Sequence, residues 1–345
     1  MATVGETLGF IFVDTSERLI AITGATGFVG RYVVERLLKE PGSLVRCLVR
    51  PSSDTSALEA HGDRVTFVGG DVCRPESLGP LCEGAWGVIN LAGYRDFWSR
   101  REELYYELNT KGAENVFLAA LAAGAAKVVQ VSTPLAFGIP EEIPFDEDSV
   151  PGPHPSRYAH SKHLADEIGW TMHAQRGLPL TVVHLAAVIG AGDPRPTMEV
   201  RRALERRLPV LIGADTTYTY VHVADAAEAI VRALFSPISI GRRYLIGTER
   251  ASTRQYFELI GDLADVPVPK LNLPEASVMP IAHLLEWISR WTGKRPAIPL
   301  DILRTTAAGS LVFDGSRARD ELGMTYKPLR EALGEAVREA LASAA

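Results

Sequence analysis

The sequence predicts an α/β fold: a doubly wound parallel sheet with a smaller, interleaved C-terminal region. Three observations predict it. Short apolar runs alternate with helical segments from about Leu19 onward, the first run leads into a glycine-rich turn, and the alternation breaks after Gly190. The first strand, Leu19 to Thr23, runs into Gly24-Ala25-Thr26-Gly27-Phe28-Val29-Gly30, and a helix begins near Phe28. Strands follow at Leu44 to Val49, Val65 to Gly69 and Gly87 to Leu91. A long helix over about Glu102 to Ala123 precedes a strand at Lys127 to Ser132, and a second over Tyr158 to Arg176 precedes one at Leu180 to Leu185. Beyond Gly190, Gly192-Asp193-Pro194-Arg195-Pro196 reads as a loop, Met198 to Arg207 as a basic helix and Thr217 to Val223 as a short strand. Ala224 to Phe235 then reads as a sheet-packing helix, Arg243 to Ile246 as a last core strand, and Ser252 to Thr292 as helices that close over a cleft.

A chain of 345 residues, 46% hydrophobic and 23% charged, buries a large core. The formal net charge of -6 leaves no global basic footprint for nucleic acid, and a small, mostly uncharged substrate suits it better. Cys47, Cys73 and Cys82 lack metal-ligand spacing and read as reduced structural thiols, which favours the cytosol. The start, with Glu6, Asp14 and Glu17, has no basic region followed by an apolar one, so a cytoplasmic location is expected. No membrane span is expected: the greasiest stretch, Ala276 to Trp291, is interrupted by Pro280, His283, Glu286 and Arg290.

The glycine turn lets backbone approach a pyrophosphate while a helix N-terminus supplies oriented N–H donors, so strand, glycines and helix together predict dinucleotide binding. The second strand ends at Arg50, where an enzyme using NAD carries an acid for the ribose 2′-hydroxyl. An arginine there favours a 2′-phosphate, so NADP(H) is preferred and NAD(H) is possible. Asp71-Val72 closes the third strand, where the aspartate can accept from the adenine amino group. Tyr158 and Lys162 stand one helical turn apart, a spacing that stacks a phenol and an ammonium on one face and makes the tyrosine a candidate general acid/base with a lowered pKa.

Over nearly its whole length the chain resembles the extended short-chain dehydrogenase/reductases. The resemblance rests on the glycine turn, Asp71-Val72, Asn90-Leu91-Ala92-Gly93, Asn109-Thr110-Lys111-Gly112, Val131-Ser132-Thr133, Tyr158-x-x-x-Lys162 and Tyr220-Val221-His222-Val223-x-Asp225. Within them it is most similar to the dihydroflavonol-reductase and 3β-hydroxysteroid-dehydrogenase-like branch, through Tyr94-Arg95-Asp96-Phe97-Trp98, Thr292-Gly293-Lys294-Arg295-Pro296 and the run from Phe313 to Gly323. It implies a Rossmann domain over 18–190 completed by about 218–247, a substrate-binding region over 191–217 and 248–345, and an N-terminal extension over 1–17, in which Gly9 to Val13 is either an edge strand or a tail. It further implies that Tyr158 exchanges a proton with the substrate oxygen, Lys162 lowers its pKa and holds the ribose, and Thr133, rather than Ser132, orients the same oxygen. Gly24, Thr26, Gly27, Phe28, Val29, Gly30, Arg50, Asp71, Val72, Leu91 and Ala92 are the implied cofactor contacts, and no metal is assigned. Asn109 is either part of a water-linked proton path or an exposed helix residue, and a homodimer through the two long helices is expected.

Departures narrow the expectation. Pro134 and Leu135 follow Thr133 where sugar dehydratases carry an acidic pair, and Ala187 stands where sugar-nucleotide enzymes place a polar side chain. Asn90 replaces a common histidine but leaves a polar group by the cofactor, and His184 reads as a packed strand-end residue. Tyr94, Phe97, Trp98 and Pro134 are candidate substrate contacts, and the aromatics suit a flat or apolar molecule or simply fill the core. Arg201, Arg202, Arg206 and Arg207 meet an anionic tail or form a solvated face. Trp287, Ile288 and Trp291 touch lipid or a partner, or belong to a lid or core face. The expected activity is NAD(P)-dependent interconversion of a carbonyl and an alcohol on a moderately hydrophobic small molecule. The alternatives are a sugar epimerase with tightly bound NAD and, less favoured, a non-catalytic cofactor-binding regulator.

Overall fold

The computed structural model describes residues 17–205 and 210–344. Gly9 to Val13, Arg206 and Arg207 therefore lie outside the described residues. The chain opens with strand β1 (Arg18–Thr23), helix α1 (Phe28–Leu37), β2 (Ser43–Val49), the short α2 (Ser56–Glu59), β3 (Val65–Gly69), the short α3 (Gly79–Cys82) and β4 (Gly87–Asn90). Next come α4 (Gly112–Ala122), β5 (Lys127–Ser132), α5 (Arg157–Arg176) and β6 (Leu180–Leu185). The second half holds β7 (Ala187–Ile189), α6 (Pro194–Leu204), β8 (Leu211–Ile212), β9 (Thr217–His222), α7 (Val223–Phe235), β10 (Arg242–Ile246), β11 (Glu249–Ser252), α8 (Thr253–Ala264), β12 (Asn272–Leu273), α9 (Glu275–Thr292), α10 (Leu300–Ala307), α11 (Ser316–Leu322) and α12 (Leu329–Ala344).

Seven parallel strands form one sheet in the order β10-β6-β5-β4-β1-β2-β3. The central strands β4, β5 and β6 are nearly all buried because both faces of the sheet are covered there. One side of the sheet, with Ile20, Ile22 and Val183, packs on α1 and α7, and the other, with Ala21, Val88 and Val182, packs on α4 and α5. After β3 the chain crosses back to β4 on the far side of β1, so the carboxyl ends of β1 and β4 flank a crevice where the strand order reverses, the favoured ligand position in such sheets.

The smaller region is built on a second sheet, β11-β9-β7, whose inner residues Ile189, Tyr220 and Ala251 pack with Ile260 of α8 and Leu333 and Val337 of α12. Three readings from sequence need adjustment. The return to the first layer comes at Val223, because β9 pairs with β7 and β11 and not with the seven-stranded sheet. The loop expected over Gly192 to Pro196 already turns into α6 at Pro194: Asp193 accepts from the Arg195 N–H at 3.1 Å, and proline fits the first helical turn, where its missing N–H costs nothing. The long helix before β5 is regular only from Gly112, preceded by a wide π-type turn over Tyr106–Lys111.

Candidate active site

The glycine turn folds tightly onto the end of β4. Gly24 has φ +72°, and a Cβ there would lie 2.8 Å from the Leu91 carbonyl carbon and 2.9 Å from the Ala92 nitrogen. At Gly30 a Cβ would sit 2.2 Å from the Gly24 oxygen, so no side chain fits while α1 packs this close. Helix α1 starts behind Gly27 without a side-chain cap, which leaves the first-turn N–H groups around Phe28, Val29 and Gly30 to the crevice. Thr26 is half-buried in the same turn. Arg50 is exposed at the end of β2, its N–H donating to Ser53 Oγ at 3.1 Å. Asp71, at the end of β3, accepts from the Cys73 N–H at 2.9 Å, and the Val72 carbonyl accepts from Asn115 at 2.9 Å. A close-approach glycine cradle, a helix N-terminus and flanking polar groups at a strand-order switch are together the donor set a dinucleotide requires, so the residues present fit one.

The chemistry-bearing side chains gather at the ends of β5 and β6. Ser156 caps α5 by accepting from the Ala159 N–H at 3.2 Å, which sets Tyr158 in the first turn. Thr133 follows β5 in extended backbone; its hydroxyl accepts from the Leu135 N–H at 3.4 Å and lies close enough to the Tyr158 phenol to lower its pKa. The Phe97 ring meets Tyr158 edge to face at 5.6 Å. Ser132 points the other way and donates to Asp166 Oδ2 at 2.6 Å. Lys162 Nζ donates to the Val131 carbonyl at 2.7 Å. Below them His184 Nδ1 lies 3.1 Å from the Thr133 carbonyl oxygen and 3.8 Å from Asp166 Oδ2. His184 Nε2 and Asp166 Oδ1 are buried without a hydrogen-bond partner among the described residues.

Burial dominates the electrostatics. It pushes the Tyr158 phenol up to about 12, against the nearby Thr133 hydroxyl and the Arg95 and Arg195 charges. The expectation that Lys162 draws this phenol towards neutrality is not met: the ammonium is turned to Val131, and burial holds it below the usual lysine range, with Asp166 opposing. Burial also pushes Asp166 up to about 6 and His184 down to about 3. Around neutral pH the tyrosine is therefore a proton-bearing phenol.

Asn109 is buried, not an exposed helix residue. From the π-type turn its side chain accepts from the Tyr94 N–H at 2.6 Å and donates to the Tyr94 carbonyl and to Ser161 Oγ, both at 2.9 Å. It clamps the loop after β4 to α5. Asn90 is also committed to structure: its amide accepts from Thr23 at 2.5 Å and donates to Gln130 at 2.8 Å, tying the ends of β1, β4 and β5. Among the candidate substrate residues, Tyr94 stacks edge to face on Tyr105 and donates to the Trp98 carbonyl at 2.9 Å. Trp98 lines a depression with Phe97, Arg157, Glu286 and Arg290. Pro134 is buried at the head of a short helical turn, while Leu135 faces a cavity of about 190 Å³ with Ile139, Ile143, Tyr218 and Leu311. Arg201 and Arg202 are exposed on α6. Among the described residues no three His, Cys, Asp or Glu side chains gather as a metal-ligand set. Asp166 and Ser161 escaped the sequence reading, although Asp166 continues the helical spacing from Tyr158 through Lys162.

The NAD-dependent epimerase/dehydratase family matches residues 20–247. The chain belongs to this family. Over 325 residues it is 29% identical to a protein of Synechocystis sp. named as a dihydroflavonol 4-reductase, covering 92% of each chain. Sterol demethylase protein B of Methylococcus capsulatus is 28% identical over 323 residues, 92% of this chain and 96% of that one. The crystal structure of gox2253 superposes on this epimerase/dehydratase family member with a TM-score of 0.80 at 27% identity, covering 95% of this chain and 99% of that one. A UDP-glucose 4-epimerase of Thermotoga maritima, with a TM-score of 0.76 at 20% identity over 95% of this chain and all of that one, shares the fold.

Proposed function

We propose that this chain is an NADP(H)-dependent oxidoreductase that interconverts a carbonyl and an alcohol on a moderately hydrophobic small molecule. The observation that carries the reading is the placing of Tyr158 beneath the Phe97 ring and beside Thr133, at the carboxyl edge of a sheet whose glycine turn fits a dinucleotide. Relatives named as a dihydroflavonol 4-reductase and as 3beta-hydroxysteroid-dehydrogenase/decarboxylase support the reaction class.

Bound nicotinamide supplies or accepts the hydride. Thr133 and Tyr158 hold the substrate oxygen between two hydroxyls, and Tyr158, protonated because burial raises its pKa, delivers its proton to the alkoxide as charge develops there. Lys162 adds positive charge beneath the site and is held in place by Val131. Phe97 shields the oxygen from water. Arg50 meets a 2′-phosphate, which sets the preference for NADP(H), and two copies pair through α4 and α5.

The test is oxidation of NADPH by purified protein with a panel of aromatic, alicyclic and sterol-like ketones. Net oxidation that Tyr158→Phe lowers by at least about 100-fold is the expected result. Protein that arrives holding oxidised cofactor and inverts a nucleotide sugar with no net oxidation overturns the reading in favour of an epimerase.

A further inference from the structure

Helix α9 presents an apolar face to solvent. Ile281 is 54% exposed, Leu284 56%, Trp287 59%, Ile288 40% and Trp291 78%, and their spacing places all five on one stripe. The side that meets the protein is formed by Val278, Ala282 and Ser289, all buried. The helix is thus apolar on two faces, and neither the lid nor the core face expected from sequence accounts for the outer one.

Charge on this helix is sorted. Its acids sit inward: Glu275 is half-buried and accepts from Thr216 at 3.4 Å, and Glu286 lines the depression shared with Phe97 and Trp98. No carboxylate is among its exposed residues, in a chain of net charge -6. Exposed Lys294 follows the tryptophans and exposed Lys270 precedes the helix, while Arg290 and Arg295, also exposed, are paired with Glu102 and Asp96. We propose that α9 is an interfacial helix that seats this protein on the surface of an anionic lipid bilayer, with Trp287 and Trp291 at the headgroup boundary.

The geometry favours a bilayer over a second copy of the chain. An 18-residue helix is about 27 Å long and its stripe about 10 Å wide, roughly 270 Å² against the roughly 800 Å² per partner of a stable protein interface. Such an area suffices for a helix lying in the headgroup plane, where tryptophan bodies and flanking cations are both favoured. No helix among the described residues is long and apolar enough to cross a membrane, so the contact is with one leaflet only. The seat also adjoins the cleft: the depression beneath Arg290 and Glu286 reaches Phe97, whose ring lies on Tyr158.

Full-length protein is sedimented with phosphatidylcholine vesicles, with and without roughly a third phosphatidylglycerol. The expected result is binding that depends on the anionic lipid, falls at least tenfold in Trp287→Ser/Trp291→Ser and in Leu284→Ser, and falls at least about fivefold for each of Lys270→Glu and Lys294→Glu. All of these side chains are exposed, so the unfolding temperature of each variant is expected to match the parent. Absence of vesicle binding overturns the proposal, as does binding that survives the tryptophan variant. So does a concentration-dependent dimer that the tryptophan variant abolishes, which assigns the face to a second copy.

Discussion

At the scale of single residues, the site stands on buried groups whose charge states are fixed by their surroundings. His184 is held down to about 3, chiefly by burial, whereas an unfolded imidazole titrates near its ordinary value of 6.5. Below that value the unfolded chain binds a proton that the folded one refuses, so His184 costs stability progressively as pH falls from about 6.5 towards 3. Replacing it with asparagine is expected to remove on the order of 3 kcal/mol of the acid sensitivity between about pH 7 and 4, read from urea unfolding at both values. Asp166 acts in the opposite sense. Its folded pKa is raised to about 6, the unfolded carboxyl ionises first, and stability declines as pH rises from about 4 to 6. Asp166→Asn is expected to gain stability relative to the parent at neutral pH and little at about pH 4. Arg50→Ala is expected to raise the KM for NADPH by at least tenfold and leave that for NADH nearly unchanged, the signature of a lost charge-assisted phosphate contact. Tyr158, Lys162 and Thr133 stand out in the sequence as candidates because their spacing repeats a known pattern. Their electrostatics do not, because the dominant influence on Tyr158 is burial, which no spacing reports.

At the scale of elements, the glycine turn is the least tolerant piece. Gly30→Ala drives a methyl into backbone oxygens of Gly24 and Ala25, neither of which can yield as a side chain would. It is expected to cost about 3 kcal/mol or more and to abolish any rise in unfolding temperature on adding a nicotinamide dinucleotide. Several elements were legible: β1, β3, β5, β6 and α5 begin and end within a residue of their expected bounds, because β1, β5 and β6 are largely buried runs, β3 is a short apolar run closed by glycines, and α5 is a capped helix. The shortest ones were not. β8 and β12 have two residues each and β7 three, too few for any period, and they exist because tertiary packing brings them together. The apolar residues of α9 were visible as a stripe, but which of its two sides faces the protein depends on where α10 lies, and only the folded chain supplies that.

At the scale of the whole molecule, the two sheets are sewn together by the chain path. From β6 the backbone passes into the second sheet at β7, returns at α7 and β10, and leaves again at β11. Neither layer is a contiguous segment, so neither is expected to unfold alone. Leu333, fully buried in α12 under the second sheet, lies far along the chain from the glycine turn. Leu333→Ala is expected to cost 2–5 kcal/mol. Calorimetry of that variant is expected to show one transition at lower temperature, shifted by a nicotinamide dinucleotide as much as the parent's is. Two separated transitions, only one of them moved by NADP, contradict the cooperative unit.

The π-type turn over Tyr106–Lys111 carries a consequence for the length of this segment. Such a turn holds one residue more than an ordinary helical turn. Deleting a single residue just ahead of Asn109 relaxes the helix to regular spacing, and every side chain before the deletion rotates by about 100° relative to those after it. Asn109 grips Tyr94 on one side and Ser161 on the other through a single amide, so it holds both only while the surplus residue is kept. The segment is thus a length gauge: one residue out of six decides whether the loop carrying Phe97 and Trp98 stays docked on the helix that carries Tyr158.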